Sequence, residues 1–336
     1  MIKLPYIKKY APGLLMLLTI ALLSTYLSRF FPLYIGKVFI AVIVGIIIAN
    51  TLYPNKEIFG EGIKLGLGKF LKIAIVLLGA GISFKEIARL GGKGLIVIIV
   101  LMCVVFALTF FLGKRLNVSL RKKLLIAVGV CICGNTAIVT IAPLIDAEDE
   151  EIAMAVGIVT LFGVLGVLIY PMVGFALGMS DTLFGAWAAT AINDTSQVIA
   201  AGFIYSEAAG KIATTIKLTR NIMIVPVVLL VTYFYRKSIS TASNEKVNKV
   251  KIFPTFILGF LALALLNSLR ILTPQISKYL VEVSKFLILL ALSGIGLGVD
   301  FKKFKVIGFK PFILGFSVEV VLAVVAVFLN WIAFSG

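Results

Sequence analysis

From residue 11 onward the chain is a succession of long apolar stretches, and many reach the roughly 20 residues that a helix needs to cross a bilayer. This pattern commits the chain to an all-α polytopic membrane protein. The mean hydropathy of +1.13 and the 61% hydrophobic content lie well above those of soluble domains. A cleavable signal peptide does not account for residues 1–30, because no small-residue cleavage site is evident and the same pattern continues downstream. The expected organisation is a single integral membrane domain over residues 1–336, with one polar loop at about 236–251.

Eleven apolar stretches can be marked: 11–28, 34–53, 64–81, 94–113, 123–145, 151–177, 184–204, 212–235, 252–270, 277–298 and 309–332. They predict about 11 transmembrane helices. The formal charge of +17 would suggest nucleic-acid binding in a soluble protein. Here the bases fall in short clusters between apolar runs, as the positive-inside rule describes, so no nucleic-acid partner is expected. Lys8 and Lys9, the Lys114–Lys123 cluster, the bases of 236–251 and Lys302 to Lys310 fall on one side if the N-terminus is cytoplasmic. The acidic loop 146–151 then falls on the other side. An alternative reading of 184–235 is a re-entrant hairpin followed by a long helix, which changes the count.

A faint internal repeat accompanies this layout. Gly79-Ala80-Gly81-Ile82-Ser83-Phe84-Lys85 returns 217 positions later as Gly296-Leu297-Gly298-Val299-Asp300-Phe301-Lys302. The two copies lie seven stretches apart. An odd separation gives them opposite orientation, as in transporters built from inverted repeats.

Two polar intrusions interrupt the apolar pattern, and both predict interrupted helices. The first is Gly134-Asn135-Thr136, with Pro143 beyond it. Glycine weakens helix continuity, and Asn and Thr can bond to backbone instead of continuing the ladder. The second is Asn193-Asp194-Thr195-Ser196-Gln197, a cluster costly to bury in hydrocarbon without a purpose. Unwound backbone at membrane depth exposes helix ends that attract ions. Asn135, Thr136, Asn193, Thr195, Ser196 and Gln197 are therefore candidate substrate ligands. Polar contact between helices is the competing reading.

Asp194 cannot donate a hydrogen bond when ionised and would repel an anion. Its expected role is ion coupling, through H+ or Na+, or pairing with a base. Lys217 and Arg220 stand three residues apart on one helix face, extended by Asn221. They are candidate anion ligands, Arg220 through its planar fork. Snorkelling at the membrane interface is the alternative. Glu319 lies inside the last stretch, where pattern alone assigns it no role; an intramembrane proton carrier and a partner for a lysine are the two open readings. Cys103, Cys131 and Cys133 lie in apolar surroundings and the chain has no histidine, so no metal or other cofactor is expected.

The ordered set Cys133-Gly134-Asn135-Thr136-Ala137-Ile138, Ala142-Pro143-Leu144-Ile145, Glu150-Glu151, Ala191 to Val198 and Lys217-Leu218-Thr219-Arg220-Asn221 resembles the YeiH family of bacterial inner-membrane proteins, to which sulfate export has been ascribed. The likeness covers nearly the whole chain. It implies a multi-pass protein of the bacterial inner membrane and export of sulfate or a sulfonate. The family often carries histidine at the position of Asn193; if it relies on proton movement there, the resemblance implies that this member uses Asp194 or works differently.

The expected function is a secondary transporter of a small inorganic or organic anion, working by alternating access. An anion channel or a membrane sensor that binds a small anion is the alternative. No adjacent base supports Thr136, Ser196 or Cys133 as a nucleophile, so an enzyme is not expected. Membrane lipids and a small anionic substrate are the expected partners, and a lipid-buried homodimer is compatible with the pattern.

Overall fold

The computed structural model describes residues 4–30, 37–52, 55–238, 256–299 and 308–334. The polar loop expected at about 236–251 falls largely outside the described residues. So do Asp300 and the rest of the second glycine-rich copy beyond Val299. The described residues form fifteen α-helices joined by short 3-10 turns and one π-helical segment. Six helical segments are long and apolar enough to cross a membrane: Lys9–Phe30, Ile87–Arg115, Asp149–Ala176, Glu207–Tyr235, Pro274–Gly298 and Phe309–Phe334.

The chain divides into two compact units, one made of residues 1–89, 199–211 and 255–301, the other of 90–198, 212–254 and 302–336. The first holds α1 (Leu4–Leu27), α2 (Lys37–Thr51), α3 (Lys56–Leu65), α4 (Leu71–Leu78), α13 (Phe256–Ser268) and α14 (Pro274–Gly298). A π-helical segment, Gly66–Phe70, links α3 to α4. Helix α14 packs on α2 and α4, and α1 packs on α3. Backbones meet at Gly13 and Gly62 between α1 and α3, where an added Cβ on either would sit 2.7 Å from the other's Cα, and at Gly45 and Gly296 between α2 and α14, where that distance is 2.9 Å. Small residues at such contacts let membrane helices gain dispersion energy over a long seam. Ser284 Oγ donates to Ala74 O at 2.7 Å, and Leu67 packs against Gly294, so α4 and α14 run antiparallel.

The second unit is built around α5 (Phe84–Arg115), α6 (Leu120–Cys131), α7 (Asn135–Ile141), α8 (Asp149–Ala176), α9 (Asp181–Ala191), the start of α10 (Thr195–Tyr205), most of α11 (Glu207–Ile222), α12 (Ile224–Ser238) and α15 (Phe309–Phe334). Lys93 near the start of α5 lies over the Phe334 ring at the end of α15. Gly113 near the end of α5 lies against Leu314 near the start of α15. These two helices are therefore antiparallel. The end of α5, with Lys114 and Arg115, defines a basic end of the unit.

Helices α6 and α7 do not form a single crossing. Arg121 Nη1 at the start of α6 lies 3.7 Å from Glu148 Oε1, and Ser119 Oγ donates to Glu151 Oε1 at 3.2 Å. Gly129 packs against Ile138 midway. The chain enters at the basic end, turns at Ile132 to Gly134, and returns to the same end. This corrects the expectation that 123–145 crosses the membrane and that the acidic loop 146–151 lies opposite the Lys114–Lys123 cluster. The halves are too short to cross separately: α6 has 12 residues and α7 has 7, at about 1.5 Å of rise per residue.

A second hairpin enters from the opposite end. Helix α8 leaves the basic end, and α9 runs back along it, with the Tyr170 and Trp187 rings stacked 4.4 Å apart and Ile192 against Gly166. The chain breaks at Ile192 to Asp194, and α10 leads within one residue to α11. Helix α11 passes Gly94 and Gly91 near the start of α5 with Ile216 and Thr219. Helix α12 then brings the Tyr235 hydroxyl to the basic end, where it accepts from Arg121 Nε at 3.2 Å. Within this unit α11 and α12 thus run from beside the start of α5 to the basic end, and α9 starts at the end opposite the basic one.

Burial separates the hairpins from the long helices. Every residue of α6 from Leu124 to Cys131, and of α9 from Phe184 to Ala191, is buried. The long helices carry exposed apolar side chains such as Ile96, Ile169, Leu229 and Phe316. An all-round apolar helix is at home inside protein, and an exposed apolar face suits lipid.

Candidate functional site

The two hairpin tips meet. Gly134 has φ +65°, and a Cβ built on it would lie 3.4 Å from the Asp194 backbone. Only glycine adopts that φ with its ψ of −124° at little cost, and only glycine leaves room for the opposing tip. The sequence builds the tips on one plan. Each has a buried half-helix, a three-residue break, a second half-helix and a long helix, and α10 begins 60 positions after α7.

A helix end leaves its last carbonyls without intrahelical partners, and lysine and arginine can satisfy them. Here the carbonyl ends of α6 and α9 converge on two fully enclosed cations from α11. Lys217 Nζ donates to Ile132 O at 2.8 Å, to Ile192 O at 3.1 Å and to Asn193 O. Arg220 Nε donates to Cys131 O at 2.8 Å. Its Nη1 reaches Ala189 O, Thr190 O and Ile192 O at 3.0–3.1 Å, and Nη2 donates to Val130 O. The exposures of the two residues are 0% and 2%.

Lys217 and Arg220, expected as anion ligands, here give their donors to backbone carbonyls. All three N–H groups of Lys217 have carbonyl partners, and Arg220 is committed to both tips. Neither residue snorkels. They fasten the hairpins to each other and bring positive charge to the carbonyl-rich helix ends, where cations are favoured.

The remaining polar residues line the starts of α7 and α10. Asp194 Oδ1 accepts from the Ser196 N–H at 2.8 Å and from the Ser196 hydroxyl, which caps α10. Asn221 Nδ2 donates to Thr195 Oγ1 at 3.1 Å. Thr160 of α8 ties the tips together. Its hydroxyl donates to Asn135 Oδ1 at 3.4 Å, and its carbonyl accepts from Gln197 Nε2 at 3.2 Å. Asn135, Asp194, Thr195 and Ser196 are half-buried, Thr136 is exposed, and Asn193 and Gln197 are buried. Gln197 Oε1 presses against Gly163, which leaves no space there for a larger residue.

Asn193 turns away from the tip surface and donates through Nδ2 to Glu319 Oε1. Glu319 belongs to this constellation, and so does Thr160. Sequence position signalled neither: Glu319 lies 126 residues from Asn193, and Thr160 is one hydroxyl in an apolar run. Among the described residues no group of three or more His, Cys, Asp or Glu side chains could hold a metal ion.

The family described as conserved hypothetical protein 698 matches residues 12–315. A UPF0324 membrane protein of Clostridium tetani is 36% identical over 334 residues, covering 96% of this chain and 96% of that protein. A UPF0324 membrane protein of Streptococcus agalactiae is 35% identical over 321 residues, covering 92% and 93%. One of Fusobacterium nucleatum is 33% identical over 335 residues, covering 94% and 96%.

Proposed function

This chain belongs to the UPF0324 family of membrane proteins, and from that premise we propose that it is a secondary transporter of a small anion, with sulfate and sulfonates as the first candidates. The observation that carries the reading is the meeting of two hairpin tips that enter from opposite ends of one unit. Broken helices that place polar groups and helix termini at mid-depth are a recurring device for binding ions between two faces of a membrane. The start of α10 carries a partial positive charge that favours an anion. Asn135, Thr136 and Thr195 supply donors beside it, Ser196 gives its donors to Asp194, and Lys217 and Arg220 contribute charge from behind the tips.

On this reading nine helical segments cross the membrane and two hairpins re-enter it. The hairpin with its following long helix forms an inverted repeat, and alternating access exposes the tips to each face in turn. The N-terminus is cytoplasmic, since the Lys114–Lys123 cluster and the start of α15 share one end. The protein would reside in the bacterial plasma membrane and carry out no covalent chemistry. Coupling is to H+ or Na+, and Asp194 is the carboxylate at the meeting tips.

Exchange of labelled sulfate in proteoliposomes tests this. Saturable uptake accelerated by internal sulfate or a sulfonate is expected. A flux that neither saturates nor responds to internal substrate, for any small oxyanion or sulfonate and in either direction, would exclude a carrier.

A further inference from the structure

Glu319 is buried near the middle of α15, with an exposure of 7%. Its hydrogen-bond partner is the neutral Asn193 amide, and among the described residues no cation lies within ion-pair distance of it. The nearest charges come from α11, where Arg220 and Lys217 are already engaged by backbone carbonyls. Tyr170 of α8 also faces it. The other charged groups of the helices packed on α15 lie toward helix ends: Asp181 in α9, Asp149, Glu150 and Glu151 in α8, Arg121, Lys122 and Lys123 in α6, and Lys93, Lys114 and Arg115 near the two ends of α5. An ionised carboxylate so placed is costly, and an intramembrane carboxyl group without a counter-ion is commonly a proton carrier.

A second observation is independent of that cost. Asn193 has an exposure of 0%, and its Oδ1 has no hydrogen-bond partner. A buried acceptor rarely stays unpaired. A carboxylate offers only acceptors, whereas a carboxylic acid offers one O–H donor. With a proton on Glu319, its O–H can donate to Asn193 Oδ1 while its other oxygen accepts from Nδ2.

We propose that Glu319 is a proton-binding site, and that its proton completes a two-bond pair with the Asn193 amide at the tip of the second hairpin. Loss of the proton leaves one bond, from Nδ2 to the carboxylate, and strands Oδ1. Proton uptake and release at α15 thus tighten and loosen the α9–α10 tip. The proton is assigned to Glu319 and not to Asp194, whose Oδ1 already caps α10. The coupling role rests on the anion-transport reading; the proton site itself does not.

Infrared spectra of the purified protein in lipid nanodiscs, without sulfate, test the site. At neutral pH the wild type should show the carbonyl band of a protonated carboxylic acid. E319Q should lack it and D194N should keep it. N193L, which retains Glu319, should shift the band toward that of a more weakly bonded acid. No such band in the wild type, a band that persists in E319Q, or an unshifted band in N193L would overturn the proposal. Proteoliposomes loaded with a pH-sensitive dye test the coupling. Sulfate flux should move protons in the wild type, and E319Q should exchange sulfate without them. Undiminished proton movement in E319Q would overturn the coupling role. Absence of sulfate flux in the wild type would defeat the anion reading and leave the infrared result to decide the proton site.

Discussion

Arg121 Nη1 and Glu148 Oε1 lie 3.7 Å apart, although the 123–145 stretch between them is apolar and long enough to cross a bilayer. The pair is solvent-accessible, so its own contribution to stability is small. Its value is topological. It shows that the chain turns back, and this places the Ile132–Gly134 turn inside the unit, against the Asp194 tip of a hairpin arriving from the other end.

Lys217→Met should destabilise the protein even without substrate. It removes three hydrogen bonds and leaves buried carbonyls at Ile132, Ile192 and Asn193 without that partner. Ile192 O keeps its bond from Arg220 Nη1, so two acceptors are stranded at about 1–3 kcal/mol each, and a loss of at least about 2 kcal/mol is expected. Thermal unfolding in detergent without sulfate reads this out. A variant as stable as the wild type would return Lys217 to the role of a ligand.

Gly134→Ala should cost about 1–3 kcal/mol through backbone strain at φ +65°. The added Cβ would also lie 3.1 Å from Val159 Cγ1. Gly178→Ala is the control: φ is +59°, but no atom lies within 4 Å of the built Cβ. Size-exclusion profiles after graded heating should rank Gly134→Ala below Gly178→Ala, and equal profiles would remove the steric part of the account.

Asp194→Asn should keep the cap on α10 and leave the melting temperature close to that of the wild type. Asp194→Ala should lose about 1 kcal/mol, because alanine cannot accept from the Ser196 N–H. Parallel thermal melts of the two variants check this, and equal melts would mean that the carboxylate has no capping role.

Much of this site is legible in the primary structure, and the remainder is hidden for physical reasons. Gly134, Asn135 and the Asn193–Gln197 cluster break helices because of their own backbone and side-chain chemistry, which is local. Whether the chain then continues or reverses is not local. A hairpin buried in protein and a helix crossing lipid have the same apolar composition, and contacts between the two arms, such as Ser119 with Glu151 and Arg121 with Glu148, distinguish them. Lys217 and Arg220 share a helix face by spacing alone. Spacing does not tell whether their donors face an anion or backbone carbonyls, because those carbonyls belong to segments 24 to 90 residues away. Glu319 reads as an isolated acid in α15 until Asn193 is placed beside it.

The central claim is that two hairpins enter from opposite faces and meet at Gly134 and Asp194. Side-specific labelling of single cysteines tests it most directly, in cells carrying a variant whose Cys103, Cys131 and Cys133 are replaced by alanine. Cysteines introduced at Ser119 and at Glu148 should both react with a membrane-impermeant reagent from the cytoplasmic face only. Cysteines at Gly178 and at Ser206 should both react from the outer face only. Labelling of positions 119 and 148 from opposite faces would contradict the account.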